Sequence, residues 1–389
     1  MEGDITMKKH MLLICVLVIA TLATILVIIQ TQTTKKSNEI RIGVLTSSTG
    51  ESARYGQGVL NGIQMAVEEI NSRGGVAGKR VRLIVEDDAS DTSRAVSAFR
   101  KLASVDNVPV IIGPISSSAA MACSPVANEL KVVLFSPSAA TPAFSSPSDY
   151  TFRNRVSSQH EISELARTAY QQLGLRRIGI LFVNNDYGLG NKTSFEQAFS
   201  KRGGTVPIAE AFDEGTTDVR SQLAKIKDRS PDGIFLVGQG TEGGYALRQA
   251  RELGIKTRLL STITIQRDDV LRIARDAANG VIFALPAYDP GASKVTDDFD
   301  KKYKQQSGQG SDMFSGNGYD AMYIMARAIE QGGYTADGIK TALFCIRNFP
   351  GVSGSTSFDK NGDVTKPVSI KVIEGGQFIY IEQTTKPAQ

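Results

Sequence analysis

From Glu39 onward the apolar positions follow two alternating rhythms. Short unbroken apolar runs at Ile40 to Leu45, Val81 to Val85, Val108 to Ile112 and Val132 to Phe135 read as buried strands. Between the first two, Tyr55 to Arg73 carries Val59, Leu60, Ile63, Ala66, Val67 and Ile70 at the 3.6-residue helical period. Gly74-Gly75 stops that helix. Ser93 to Ser104 and Ser117 to Leu130 are predicted helices in the same alternation. A strand–helix succession of this kind implies a parallel sheet with helices on both faces.

The rhythm then restarts. Strands are predicted at Ile178 to Val183, around Val206 and Ala209 to Ala211, at Gly233 to Val237, at Leu259-Leu260 and at Val281 to Ala284. Helices are predicted at Gly188 to Arg202, Val219 to Asp228 and Gly243 to Gly254. The tail adds helices at Lys294 to Gln306, Asn317 to Gln331 and Ala336 to Cys345. A turn at Ser357 to Asp363, with an Asn361-Gly362 hairpin signal, precedes a last strand pair at Val368 to Ile373 and Phe378 to Glu382. The fold class is therefore α/β, with two lobes of similar design and no close sequence repeat between them.

The first residues depart from this pattern. Lys8, Lys9 and His10 precede an uncharged apolar run from Met11 to Ile29, long enough to cross a bilayer. It serves either as an uncleaved anchor or as a cleaved export signal, and the polar stretch from Gln30 to Asn38 reads as a tether. Cys15 lies in that run, which leaves Cys123 and Cys345 either to bridge or to remain free thiols. No CxxC pair and no Cys/His cluster of metal spacing occurs, so no metal or cofactor is expected.

Composition narrows the function classes. The net charge is +4, with Lys and Arg interleaved among Asp and Glu, and Trp is absent. Nothing here forms the basic face that nucleic acid requires. Only two histidines exist, so a Ser–His or Cys–His mechanism would rest on His160 alone. G-x-S-x-G, H-E-x-x-H and Walker patterns are missing, which argues against an enzyme.

The candidate chemistry is a seat for an anion. The strand at Val110 to Ile112 breaks at Gly113-Pro114, and Ser116, Ser117 and Ser118 stand where the next helix begins. A helix N-terminus leaves backbone N–H groups unpaired and carries partial positive charge. Serines there cap the helix or hold a carboxylate, and the carboxyl end of a strand in an open α/β sheet is where ligands bind.

These pieces, in order, resemble the branched-chain amino acid (leucine/isoleucine/valine) binding family of type I periplasmic solute-binding proteins, which serve ABC importers. The resemblance rests on Ile40 to Leu45 with Thr49-Gly50 and Tyr55-Gly56, on Ala66 to Asn71 with Gly74-Gly75, and on Glu86-Asp87-Asp88 with Asp91. It continues through Ile112-Gly113-Pro114, Ser136 to Ala140 with Pro142, Phe152-Arg153, Asp186-Tyr187-Gly188, Arg248 to Gly254, and Phe358-Asp359 with Gly362-Asp363. It covers about residues 39 to 384. It implies two Rossmann-like lobes with parallel central sheets, joined by a three-crossing hinge. Residues 39–155 and 287–352 would form lobe 1, and 156–286 and 353–384 lobe 2. Residues 1–38 would be signal or anchor and tether, with 11–29 holding the protein at the periplasmic or extracellular face.

The resemblance also implies a ligand site and partners. Ser116, Ser117 and Ser118 would grip a ligand carboxylate, and the Ala139 carbonyl would accept from a ligand amine. Ala140 falls where relatives carry a threonine, a loss that Thr141 could offset. Tyr55 would line the site from the first loop, and Tyr187 would close over the ligand. Gln239 and Gly240 fall where a branched-chain binder has tyrosines. Ile263 falls where the family places the acid that faces the ligand ammonium, so either Glu242 or Asp289 replaces it or the ligand has no ammonium. The implied partners are a small carboxylate or amino acid, an ABC permease and the membrane. The same clamp could instead present its ligand to a receptor or regulator.

Overall fold

The computed structural model describes residues 39–381. The first sheet is built from β1 (Glu39–Thr46), β2 (Arg80–Asp87), β3 (Val110–Ile112), β4 (Val133–Ser136) and β5 (Thr151–Arg153) in the order β2-β1-β3-β4-β5, all parallel. Its helices are α1 (Ala53–Ser72), α2 (Thr92–Arg100) and α3 (Ser117–Leu130). β3 and β4 are buried at every position, as continuous apolar runs in a sheet covered on both faces must be.

The second sheet repeats the order. β6 (Arg177–Val183), β7 (Thr205–Phe212), β8 (Gly233–Val237), β9 (Arg258–Thr262) and β10 (Ile282–Pro286) lie as β7-β6-β8-β9-β10, again parallel. The helices of this half are α4 (Ser158–Arg167), α5 (Asp186–Ser200), α6 (Arg220–Asp228), α7 (Thr241–Glu252) and α8 (Asp268–Ala274). The chain then returns to the first sheet. α9 (Lys294–Ser307) and α10 (Met313–Gly332) pack on α1, and α11 (Ala336–Cys345) packs on α10 and β4. A short hairpin, β11 (Phe349–Gly351) and β12 (Gly354–Thr356), follows, and β13 (Val368–Glu374) and β14 (Gln377–Tyr380) extend the second sheet antiparallel beside β10.

Three features differ from the expectations. β5, α4 and α8 occur where no element was predicted. The predicted hairpin at residues 357–363 is a tight turn with a single bridge between Phe358 and Val364. Its ends are held elsewhere: Phe358 packs edge-on against Phe135 and Phe152, and Asp363 pairs with Arg153. For the same reason residues 353–363, expected in the second lobe, make these contacts with the first sheet's elements.

Among the described residues no helix is long and apolar enough to cross a membrane, and the anchor expected at residues 11–29 lies outside them. Cys123 and Cys345 are both free. Cys123 is buried on the inner face of α3, where desolvation pushes its thiol up to about 12, whereas Cys345 is exposed. A thiolate is the reactive form. A maleimide is therefore expected to label Cys345 in the native protein and Cys123 only after unfolding, as peptide mass mapping would show.

Candidate ligand-binding cleft

In each sheet the strand order reverses at one point, between β1 and β3 in the first and between β6 and β8 in the second. Such switch points open a crevice at the carboxyl ends of the strands. The two crevices face each other across one cleft of about 400 Å³, counting its opening to solvent. Ser52 reaches it from the β1–α1 connection and Tyr55 from the first turn of α1, Ile115 and Ser116 from the β3–α3 connection and Ser117 from the start of α3, and Ser138 from the loop after β4. Arg155 follows β5, and Phe314 opens α10. The opposite wall consists of Tyr187 in the first turn of α5, Gln239 after β8, and Ile263 and Thr264 after β9.

The serine turn is built by local rules. Gly113 has φ +122° and lies so close to β1 that a Cβ would come within 1.8 Å of the Leu45 carbonyl oxygen, so only glycine fits. Ser116 is the N-cap of α3, its Oγ accepting from Ala119 N at 3.1 Å. Ser117 Oγ accepts from Ala140 N at 3.2 Å and from Thr141 N at 3.3 Å. A hydroxyl that accepts twice keeps its own O–H to donate. The first-turn N–H groups of Ser117 and Ser118 have no acceptor within the helix. Donors therefore converge on the cleft from one helix end.

Arg155 and Glu161 form an ion pair beneath this surface, Nη2 to Oε2 at 3.1 Å, with both side chains at most 3% exposed. Arg155 Nη1 also donates to the Val156 carbonyl at 3.1 Å. Burial pushes the Glu161 carboxyl above its ordinary range, and Arg155 opposes that shift. The Tyr187 hydroxyl donates to Thr262 Oγ1 at 2.8 Å, and Thr262 lies 2.8 Å from Thr264, which donates to the Gly238 carbonyl at 2.7 Å. The ring of Tyr187 is thus fixed by β9, and its phenol is held far above its ordinary pKa, chiefly by burial.

Of the residues expected at the site, Tyr55, Ser116, Ser117, Tyr187, Gln239 and Ile263 line the cleft. Ser118, Ala139, Ala140, Thr141 and Gly240 are not among the lining residues. Ser118 Oγ accepts from Asp186 N at 3.3 Å, which links the two walls. The Ala139 and Thr141 carbonyls accept from Arg153 Nη1 at 3.4 and 2.7 Å. Arg153 is fully buried and itself held by Asp363 at 2.6 and 3.0 Å.

Thr264, at the end of the expected Gln239 to Thr264 closing loops, lines the cleft as well, whereas sequence reasoning missed Ser52, Ile115, Ser138, Arg155 and Phe314. Arg155 carried a partial signal: Arg153-Asn154-Arg155 sets two arginines directly after Phe152. Phe314 carried none, because it arrives from a helix far along the chain.

The two acids considered as substitutes at Ile263 are occupied elsewhere. Glu242 accepts from Gln239 N at 2.9 Å and from Gly215 N, shaping the turn into α7. Asp289 accepts from Gly291 N at 3.0 Å. No carboxylate is among the residues lining the cleft.

A clamp of two switch-point lobes around one small cleft is the architecture of a ligand-binding protein, and a family profile for periplasmic binding proteins matches residues 39–377. The chain belongs to that family. It is similar to the Leu/Ile/Val-binding protein BraC3 of Rhizobium johnstonii, 28% identical over 360 residues, covering 88% of this chain and 94% of that protein. Among solved structures it is similar to the leucine-binding protein LivK of Thermotoga maritima, with TM-score 0.81 and 28% identity, covering 88% and 98% of the two chains. It is also similar to LivJ of Streptococcus pneumoniae in complex with isoleucine, with TM-score 0.79 and 26% identity, covering 88% and 99%.

Proposed function

We propose that this protein captures a small carboxylate with an apolar body, and no free ammonium, for an ABC importer outside the cytoplasm. The observation that carries the reading is the lining itself: serine hydroxyls at a helix N-terminus, aromatic and aliphatic walls, and no acid. Arg155 is already neutralised by Glu161, so the cleft offers donors to an anion without surplus charge. An ammonium enclosed there would lack an anionic partner, which costs several kcal/mol. BraC3 is named for binding leucine, isoleucine and valine, and LivJ holds isoleucine, which supports the carboxylate end of the reading.

The mechanism is binding without chemistry. The carboxylate accepts from Ser117 Oγ and the first turn of α3. Tyr187, Gln239, Ile263 and Thr264 close on the remainder from the second lobe. Lobe 1 comprises residues 39–155 and 287–363, lobe 2 comprises 156–286 and 368–381, and the chain crosses between them three times. Closure forms the surface that a permease reads, and residues 11–29 keep the protein beside that permease.

A thermal-shift screen of the protein from about Lys36 onward tests this reading. Amine-free carboxylates such as methylpentanoate or phenylacetate are expected to raise the melting temperature by several degrees at saturating concentration. Leucine is expected to raise it less. A screen in which only α-amino acids stabilise would overturn the amine-free reading. With a ligand in hand, Ser117→Ala should weaken binding by about 1–3 kcal/mol, measured by calorimetry. An unchanged affinity would remove Ser117 from the site.

A further inference from the structure

Beside the cleft runs a second, larger space of about 1550 Å³, counting its opening to solvent. The two spaces share Tyr55, Ile263 and Phe314 as a common wall. This wall is made of side chains, and its centre is the Tyr55–Phe314 ring pair, 4.6 Å apart. The far space continues past the apolar side chains of Leu285, Met313 and Phe378 and past charged ones, among them Arg54, Asp289 and Lys371.

Arg267 stands on the far side of this wall and is not part of the cleft lining. Asp269 grips its guanidinium from below, Nε to Oδ1 at 2.9 Å, with a second contact from Nη2 to Oδ2. From the second lobe, Nη1 donates to the Tyr55 hydroxyl at 3.3 Å, and the guanidinium carbon sits 5.4 Å from the centre of the Tyr55 ring. Such a contact combines a charge-assisted hydrogen bond with a cation–π attraction. Gly240 makes room for it. A Cβ at position 240 would lie 2.5 Å from Arg267 Nη1, and its φ of +50° already favours glycine. Gly240 therefore bears on the site through Arg267.

We propose that Arg267 determines the length of ligand this protein accepts. It pins Tyr55 as the partition between the cleft and the neighbouring space, so the tail of a long ligand must displace the guanidinium to pass. The inference rests on the carboxylate reading above and adds the residue that limits the tail. The space beyond the partition is the place a longer aliphatic tail would occupy.

The test compares wild type with Arg267→Ala and with Asp269→Asn, using two ligand series in parallel. One runs from butanoate to decanoate. The other runs through straight-chain α-amino acids of the same lengths. Wild-type affinity should peak at a short member and fall beyond it. Arg267→Ala should bind the longest members at least about tenfold more tightly than wild type, because added methylenes become buried. Asp269→Asn should shift the profile the same way, less strongly. A gain of this kind cannot arise from a merely loosened fold. An unchanged length profile in Arg267→Ala overturns the proposal. So does loss of the short members without gain of the long ones, which would reduce Arg267 to a clasp between lobes. A lengthened profile in the amino-acid series alone would keep the role of Arg267 and overturn the amine-free reading instead.

Discussion

An Arg155→Met variant is expected to lose about 3–5 kcal/mol of stability together with measurable ligand binding. Arg155 and Glu161 are at most 3% exposed, so removing the guanidinium leaves a buried carboxylate without its counter-charge. Burial already holds the Glu161 pKa above the ordinary carboxylate value, and Arg155 is what opposes it. Without Arg155 the folded-state pKa of Glu161 rises further above the unfolded value. A carboxyl raised in this way binds a proton in the folded state where the unfolded chain has released it. The penalty therefore grows as pH rises from the unfolded pKa through the folded one, and shrinks toward acid. Melting curves of the variant at pH 5 and pH 8 should differ from wild type least at pH 5. The double variant Arg155→Met, Glu161→Leu should recover much of the lost stability, because an apolar pair of similar volume avoids the desolvation of both ions. It should still not bind, because Arg155 lines the cleft. A double variant that melts as low as the single one would show that the pair is not the cause.

The elements that could be read from the chain are those whose signal is local. β8 and α11 fall at the predicted bounds, and α3 does as well, because a buried parallel strand is a short apolar run and each helix shows its own period. β5 escaped because three residues with an arginine among them carry no period. Its place is fixed by pairing with β4 and by the grip of Asp363 on Arg153, from far along the chain. The site divided along the same line. The serine turn and Tyr187 were legible, since strand ends that run into helices mark crevices in α/β folds. Phe314 was not, since its presence depends on which distant segments the fold brings together, and Arg155 showed only as the second arginine after Phe152. The loop of Ala139 to Thr141 shows a subtler limit. Its carbonyls are real acceptors, but the buried guanidinium of Arg153 engages them from behind.

A second large effect is expected where the chain runs from the β11–β12 hairpin toward β13. Asp320, buried in α10, accepts from the backbone N–H groups of Val352 and Ser353 at 2.8 Å each, and from the Ser353 hydroxyl. Lys366 is buried alongside and donates to Ser353 Oγ at 2.7 Å. Asp320→Ala strips three acceptances and leaves the Lys366 ammonium without its counter-charge. It should lower stability by about 3–5 kcal/mol, read as a drop in melting temperature. The pair also predicts a pH dependence. Desolvation pulls the Lys366 pKa down to about 8, below its ordinary 10.5. Between those values the folded protein has released a proton that the unfolded chain still holds, so stability should climb as pH rises from about 8 to 10.5. One and a third kcal/mol per unit makes the climb about 3 kcal/mol. Lys366→Met should abolish that climb while leaving Asp320 bonded to Val352 and Ser353. A climb of the same size in both proteins would mean that another group titrates, and that Lys366 is solvated.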